Sequence, residues 1–418
     1  MYIKKRIIPL CFTFLFMFVL LAGCSNGGKD NTVDPTPTTA PADEPDPTEA
    51  PAATPTPEPA PTPEPVDYTT AVIKDIYADD FSIGAVLGAS GLNMPALTDL
   101  VKTHFNSLTL ENEMKPSGLL DYNASITEPI DNESPSINFT TAERGLKFAK
   151  ENGIKMRGHT LVWHSQTPRW LFTEGYSIKR DAPFVSREVM LKRMENYIKQ
   201  VLEYTQTNYP GVIYAWDVVN EAIQVSDGHP DGLRTESSLW YQVVGVDYIE
   251  KAFEYAKKYA DPEVKLFYND YNTEDSAKAV AIKNLAAKLV EQGTIDGIGM
   301  QTHIKLDSPS LGAIDESTRS YAELGLEIQV TELDVDMETN TEEDLAKQAT
   351  RYRRLFLYFI KWKQDGIKLT NVTFWGTTDD RSWLNKPNEP SYPLLFDASI
   401  EKKPAYFGAI QDPAIPVY

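Results

Sequence analysis

The chain reads as an α/β protein, a (β/α)8 TIM barrel preceded by a signal peptide and a disordered Pro/Thr-rich linker, and three observations predict this. Eight short β-rich runs recur within residues 67–418, stretches with apolar residues at helical spacing separate them, and polar and aromatic residues gather just after the runs' C-terminal ends. Alternating strand and helix patterns build a parallel sheet. Eight such units close it into a barrel whose C-terminal rim carries the active site.

Residues 1–23 read as a lipoprotein signal peptide. Lys4, Lys5 and Arg6 precede an uncharged apolar stretch over 7–22, which stops at Gly23-Cys24. A membrane-spanning helix needs about 20 apolar residues, so the stretch suits a cleaved signal better than a span. A cysteine after small residues resembles the bacterial lipoprotein signal, in which cleavage leaves Cys24 as a lipidated N-terminus. The expectation is an exported, cell-surface lipoprotein that meets the membrane only through a lipid anchor on Cys24; plain secretion is the alternative. Cys11, the other cysteine, would leave with the signal, so the mature protein makes no internal disulfide.

Residues 24–66 are rich in Pro, Thr and Glu and nearly free of large apolar side chains. Such a segment buries too little surface to offset its ordering entropy, and its prolines favour extended polyproline II. At about 3.1 Å per residue it would hold the next domain on the order of 100 Å from the membrane.

In the body, residues 67–418, the strands are expected at 81–87, 105–110, 155–162, 212–219, 265–268, 297–300, 327–330 and 371–375. Thr140 with Glu143 forms a capping-box pattern for a helix ending at Gly153. Further helices are expected over 186–205, 248–260 (stopped by Asp261-Pro262), 274–292 (followed by Gly293) and 343–362. Right-handed crossovers place them outside the strand ring.

A net charge of -20 and a pI near 4.7 argue against nucleic acid or an anionic membrane surface as ligand, since both would be repelled. The five histidines form neither His-Glu-x-x-His nor His-x-His, the body has no thiol, and no Gly-rich phosphate loop follows a strand. Neither a metal nor a cofactor is expected.

The rim residues converge. Glu111, Asn112 and Lys115 follow the second run, and His159, Trp163, His164 and Gln166 accompany the third. Asn220 and Glu221 end the fourth, Tyr271 follows the fifth, Gln301 and His303 the sixth, Glu332 and Asp334 the seventh, and Trp375 and Trp383 the eighth. Cleaving an acetal near neutral pH needs one carboxyl to protonate the leaving oxygen and a second, ionised carboxylate on the other side of the sugar ring. Glu221 and Glu332 supply such a pair. Taken singly, a strand-end glutamate reads equally well as the ion-pair partner of a loop Lys or Arg, and His303 as a buried core histidine.

Longer strings decide between these readings. Trp216-Asp217-Val218-Val219-Asn220-Glu221-Ala222 resembles the acid/base segment of glycoside hydrolase family 10, and Val330-Thr331-Glu332-Leu333-Asp334 resembles that family's nucleophile segment. The resemblance runs from about Ile83 to the C-terminus and includes the strings over 109–115, 157–166 and 374–376. It implies an endo-1,4-β-xylanase that cuts internal bonds of xylan by a retaining double displacement, with Glu221 as acid and later base and Glu332 as nucleophile. His303 would bond the nucleophile and Asp334 would orient His303. Asn220 would bond the 2-hydroxyl of the sugar under attack. Glu111, Asn112, Lys115, His159, Trp163 and Gln166 would hold sugars on the non-reducing side of the cut. Trp375 and Trp383 would roof that side, Tyr271 would be a platform on the other, and Gln301 joins the substrate-binding set. The expected partners are xylan and xylo-oligosaccharides, and the expected state is a monomer. A related β-1,4-glucan hydrolase and a non-catalytic surface polysaccharide-binding lipoprotein are the rival readings. Loops 121–137 and 224–235 are longer than the compact family pattern and are expected to border the cleft.

Overall fold

The computed structural model of the protein describes residues 66–417; the expected signal peptide 1–23, the lipidation site Cys24 and nearly all of the linker 24–66 lie outside the described residues. Nine parallel strands organise the described part: β1 Ser82–Val86, β2 Ser107–Thr109, β3 Lys155–Trp163, β4 Ile213–Asn220, β5 Lys265–Asp270, β6 Gly297–Met300, β7 His303–Lys305, β8 Glu327–Asp336 and β9 Leu369–Phe374. Eight of them close a ring in the order β1-β2-β3-β4-β5-β6-β8-β9, with β9 returning to β1. The ninth, β7, lies against the outer end of β8, pairing His303 with Asp334.

Helices cross over between successive ring strands: α1 Pro95–His104, α2 Glu143–Glu151, α3 Arg187–Asn208, α4 Tyr248–Tyr259, α5 Ser276–Glu291, α6 Leu311–Ala322 and α7 Glu342–Gln364, with α8 Pro404–Ala409 after β9. Local chemistry starts several of them. Ser186, Asp275, Ser310 and Thr341 each accept a hydrogen bond from a backbone N–H in the first turn, which satisfies a donor the helix itself leaves free. Apolar side chains from these helices and the outward faces of the strands form one continuous core.

Two local expectations are corrected. The Thr140/Glu143 capping box does not form: Ala142 holds the cap position without a side-chain bond, and Glu143 instead accepts from the Tyr204 hydroxyl of α3 at 2.5 Å. Tertiary packing outcompetes the local cap. The seventh ring strand also runs on to Asp336 rather than ending at 330, because β7 pairs with its outer half. Glu332 and Asp334 therefore lie inside a strand.

The two long loops differ. Loop 121–137 is pinned along α3, where Arg193 donates to the Asn132 carbonyl at 2.7 Å, Lys192 pairs with Glu133 at 2.6 Å and Gln200 donates to the Pro135 carbonyl at 2.9 Å. It contributes no side chain to the cleft, contrary to expectation. Loop 224–235 does border the cleft, through Arg234.

Inside the ring, polar groups stack toward the rim. The fully buried Arg157 donates to Asp217 at 2.6 and 3.0 Å and to Gln329 at 2.6 Å. Asp217 also meets His159 Nδ1 at 2.9 Å, so this buried ion pair underlies a cleft residue.

Candidate active site

Strand ends place the two glutamates. β4 finishes at Asn220, and Glu221 follows in the left-handed region at φ 55°, a conformation sparsely populated without glycine. Its backbone N–H donates to the Asn269 carbonyl at 2.9 Å, which holds the turn against β5. Its Oε2 accepts from Trp163 Nε1 at 3.0 Å, and its Oε1 from Gln301 Nε2 at 3.0 Å and Asn220 Nδ2 at 3.2 Å.

Glu332 points into the same cleft from β8. Its Oε1 accepts from Asn269 Nδ2 at 2.8 Å, and His303 Nε2 lies 3.2 Å from its Oε2. His303 Nδ1 lies 2.9 Å from Asp334 Oδ2, which also accepts from Trp383 Nε1 at 2.9 Å. Burial alone would drive protons off His303, but the charge and hydrogen bond of Asp334, followed by those of Glu332, carry its pKa up to about 10. It is thus an imidazolium at neutral pH, and both ring N–H groups donate. Burial pushes the Glu332 carboxyl up, yet the His303 hydrogen bond and the charges of His159 and His303 outweigh it and hold the group below the usual carboxylate range. Glu332 is kept ionised.

Asn220 and Asn269 join the two halves. They share a register on β4 and β5. Asn220 Oδ1 accepts from Asn269 Nδ2 at 2.8 Å and from Gln301 Nε2 at 3.3 Å, which fixes its amide orientation and leaves Nδ2 facing Glu221. Gly299 makes room for this arrangement, since a Cβ there would stand 2.4 Å from Asn269 Oδ1.

A cleft of about 650 Å³ surrounds the pair. It is lined by Glu111, Asn112, Lys115, His159, Trp163, Gln166, Asn220, Glu221, Tyr271, Gln301, His303, Glu332, Trp375 and Trp383, all expected from the sequence, with Asp334 buried behind His303. On one side Lys115 donates to Asn112 at 3.1 Å and sits 5.0 Å from the centre of the Trp163 ring. Burial pushes its ammonium down, against the charges of Glu332, Glu111, Glu221 and Glu113. Trp375 meets His159 edge-on at 5.3 Å, and the half-exposed Trp383 lies 5.0 Å from the His303 ring. Among the described residues, no group of three or more His, Cys, Asp or Glu side chains is arranged to hold a metal ion.

Sequence reasoning gave no role to Asn269, to the Asp217–Arg157 pair beneath His159 or to Arg234. A usable signal existed for the first: Asn269 stands at the end of the fifth strand as Asn220 does at the end of the fourth.

Comparison with known proteins agrees with this geometry. The family model described as Glycosyl hydrolase family 10 matches residues 72–412. Endo-1,4-beta-xylanase B of Butyrivibrio fibrisolvens is 43% identical over 343 residues, covering 81% of this chain and 53% of that protein. An exoglucanase of Acetivibrio thermocellus is 42% identical over 348 residues, covering 82% of this chain and 29% of that protein. The chain thus spans about half of the first relative's length and under a third of the second's. Among solved structures, the CBM22-1-GH10 modules of a Clostridium thermocellum endo-1,4-beta-D-xylanase, complexed with xylohexaose, superpose with a TM-score of 0.74 at 36% identity, covering 83% of this chain and 68% of that one. An intracellular xylanase of Thermoanaerobacterium saccharolyticum in complex with xylotetraose gives 0.69 at 41% identity, covering 81% of this chain and 97% of that one. With the closed barrel, the cleft at its C-terminal rim and a family match across nearly the whole described body, this chain belongs to glycosyl hydrolase family 10.

Proposed function

We propose that the protein is an endo-1,4-β-xylanase that hydrolyses internal β-1,4-xylosidic bonds of xylan with retention at the anomeric carbon. One observation carries the reading: two carboxyl groups in one cleft have opposite surroundings, Glu332 held anionic by an imidazolium and Glu221 contacted by neutral donors, with Asn220, Asn269 and Gln301 between them. Glu332 attacks the anomeric carbon while Glu221 gives its proton to the departing glycosidic oxygen. The bond to the leaving sugar breaks, and an ester to Glu332 forms. Esterification neutralises the Glu332 carboxylate. Glu221 can then take a proton from water as the water oxygen attacks the same carbon and frees Glu332. Asn220 Nδ2, oriented by its two amide partners, is available to the 2-hydroxyl, a contact that strengthens toward the transition state.

Xylan is favoured as substrate by the named relatives and by the xylo-oligosaccharide complexes of the structural neighbours. The exoglucanase relative keeps a β-1,4-glucan activity as the second reading. Reducing-sugar release from xylan and from carboxymethylcellulose separates the two, and NMR of the fresh product reads the anomer. The β-xylose anomer is expected first; an initial α-product overturns retention.

The lipid anchor rests on the sequence pattern around Cys24. Metabolic labelling with a palmitate probe should mark the protein, and Cys24→Ala should abolish the label.

A further inference from the structure

Arg234 is a cation of the cleft that the reaction scheme above does not use. It is 8% exposed, and among the described residues no carboxylate lies within ion-pairing distance. Its hydrogen-bond partners are neutral: Nε donates to the backbone carbonyl of Glu221 at 2.9 Å, Nη1 to Ser237 Oγ at 3.5 Å, and Nη2 to Gln224 Oε1 at 3.1 Å and to the Tyr271 hydroxyl at 3.0 Å. The Tyr271 hydroxyl in turn donates to Gln224 Oε1 at 3.0 Å. Its charge helps hold the Asp227 carboxyl below the usual carboxylate range, but its planar fork is directed at neutral groups rather than at a carboxylate. The fork spans two places. One nitrogen holds the acid/base residue at the peptide where its backbone enters the left-handed region, and another holds the Tyr271 ring, which lines the same cleft. Lys278 Nζ lies over the Tyr271 ring, 3.5 Å from its centre, and occupies one face.

We propose that Arg234 is a positioning residue that couples the aglycone platform to the general acid: a leaving-group sugar seated on Tyr271 reinforces the Arg234 contact and thereby the aim of the Glu221 carboxyl. This rests on the xylanase reading and on Glu221 as acid. It yields a signature that a purely structural role lacks. Misplacing a proton donor matters most when the departing oxygen is basic, and small displacements cost on the order of 100-fold.

The test measures kcat/KM, which reports the glycosylation step, for Arg234→Met and Arg234→Lys on a series of aryl xylobiosides running from dinitrophenol to unsubstituted phenol. The expected result is a steeper dependence on leaving-group pKa, with phenyl substrates and xylan losing on the order of 100-fold and the dinitrophenyl substrate little changed. Arg234→Lys should restore the thermal midpoint more fully than the slope, since one ammonium cannot span both contacts. Equal losses on all substrates, or no loss on any, overturn the proposal. If Arg234→Met does not fold, Tyr271→Phe combined with Gln224→Leu breaks the far contacts and is judged by the same slope. Wild-type protein that leaves xylan untouched would defeat the activity reading instead, so the two failures are distinct.

Discussion

Asn269 donates its side-chain amide to Glu332 Oε1 at 2.8 Å and, from the same nitrogen, to Asn220 Oδ1 at 2.8 Å. The residue that orients Glu332 thus also orients Asn220, beside Glu221. Thr331 Oγ1 donates to Asn269 Oδ1 at 2.6 Å, so the amide cannot flip without losing both ends of the network.

Asn269→Ala removes one of the two donors to the Glu332 carboxylate and unlocks Asn220. A hydrogen bond to a charged group contributes about 1.5–3 kcal/mol, so kcat on aryl xylobiosides should fall by on the order of 10- to 100-fold with little change in the circular dichroism spectrum. A rate within error of wild type would remove Asn269 from the machinery.

The two glutamates should separate by leaving group. Glu332→Ala has no nucleophile and should abolish hydrolysis of every substrate. Glu221→Ala should spare cleavage of aryl glycosides with good leaving groups more than cleavage of xylan, because only the latter needs a proton donor. Equal losses on both substrates in Glu221→Ala would count against the assigned roles.

His303 gives the protein a pH dependence of known sign. Its pKa is about 10 when folded, against 6.5 for the free side chain, because the Asp334 and Glu332 charges outweigh burial. The folded state therefore binds the extra proton between these values, and stability must fall as pH rises through that window. The contribution is complete below about pH 6.5 and is lost as pH passes about 10. Urea midpoints measured from pH 6 to pH 10.5 should decline more steeply in wild type than in His303→Gln. The same slope in both proteins would refute the imidazolium assignment.

What was legible in the sequence follows from how local each feature is. The eight ring strands, and the rim residues after them, could be read because strand periodicity and strand-end polarity are properties of a few neighbouring residues. The end of β8 was misplaced because its outer half is held by pairing with β7, some thirty residues earlier, and with β9 at Leu333. Glu143 fits a cap by pattern, but Tyr204, far along the chain, claims its carboxylate. Loop 121–137 is long by sequence, and only the contacts of Arg193 and Gln200 show that it lies along a helix. Arg234 received no role from the sequence because its partners are a backbone carbonyl and three neutral side chains, which no charge pattern betrays.

The pair Arg157–Asp217 allows a final prediction in which stability and activity come apart. Both side chains are fully buried, their oxygen and nitrogen atoms meet at 2.6 Å, and burial works to raise the Asp217 pKa until the Arg157 charge and the His159 contact hold it below the usual range. Asp217→Asn keeps the shape but leaves a buried guanidinium uncompensated, which should cost about 3–5 kcal/mol in urea unfolding. Replacing both partners with apolar residues of similar volume, Arg157→Met with Asp217→Leu, removes both charges and should cost less than the single change, since neither ion then has to be desolvated. The double variant should nonetheless lose affinity for xylo-oligosaccharides, because His159 reaches the cleft with its Nδ1 anchored on Asp217 at 2.9 Å. Additive destabilisation in the cycle would mean that the pair does not act as a unit. Unchanged binding in the double variant would mean that His159 holds its position without Asp217.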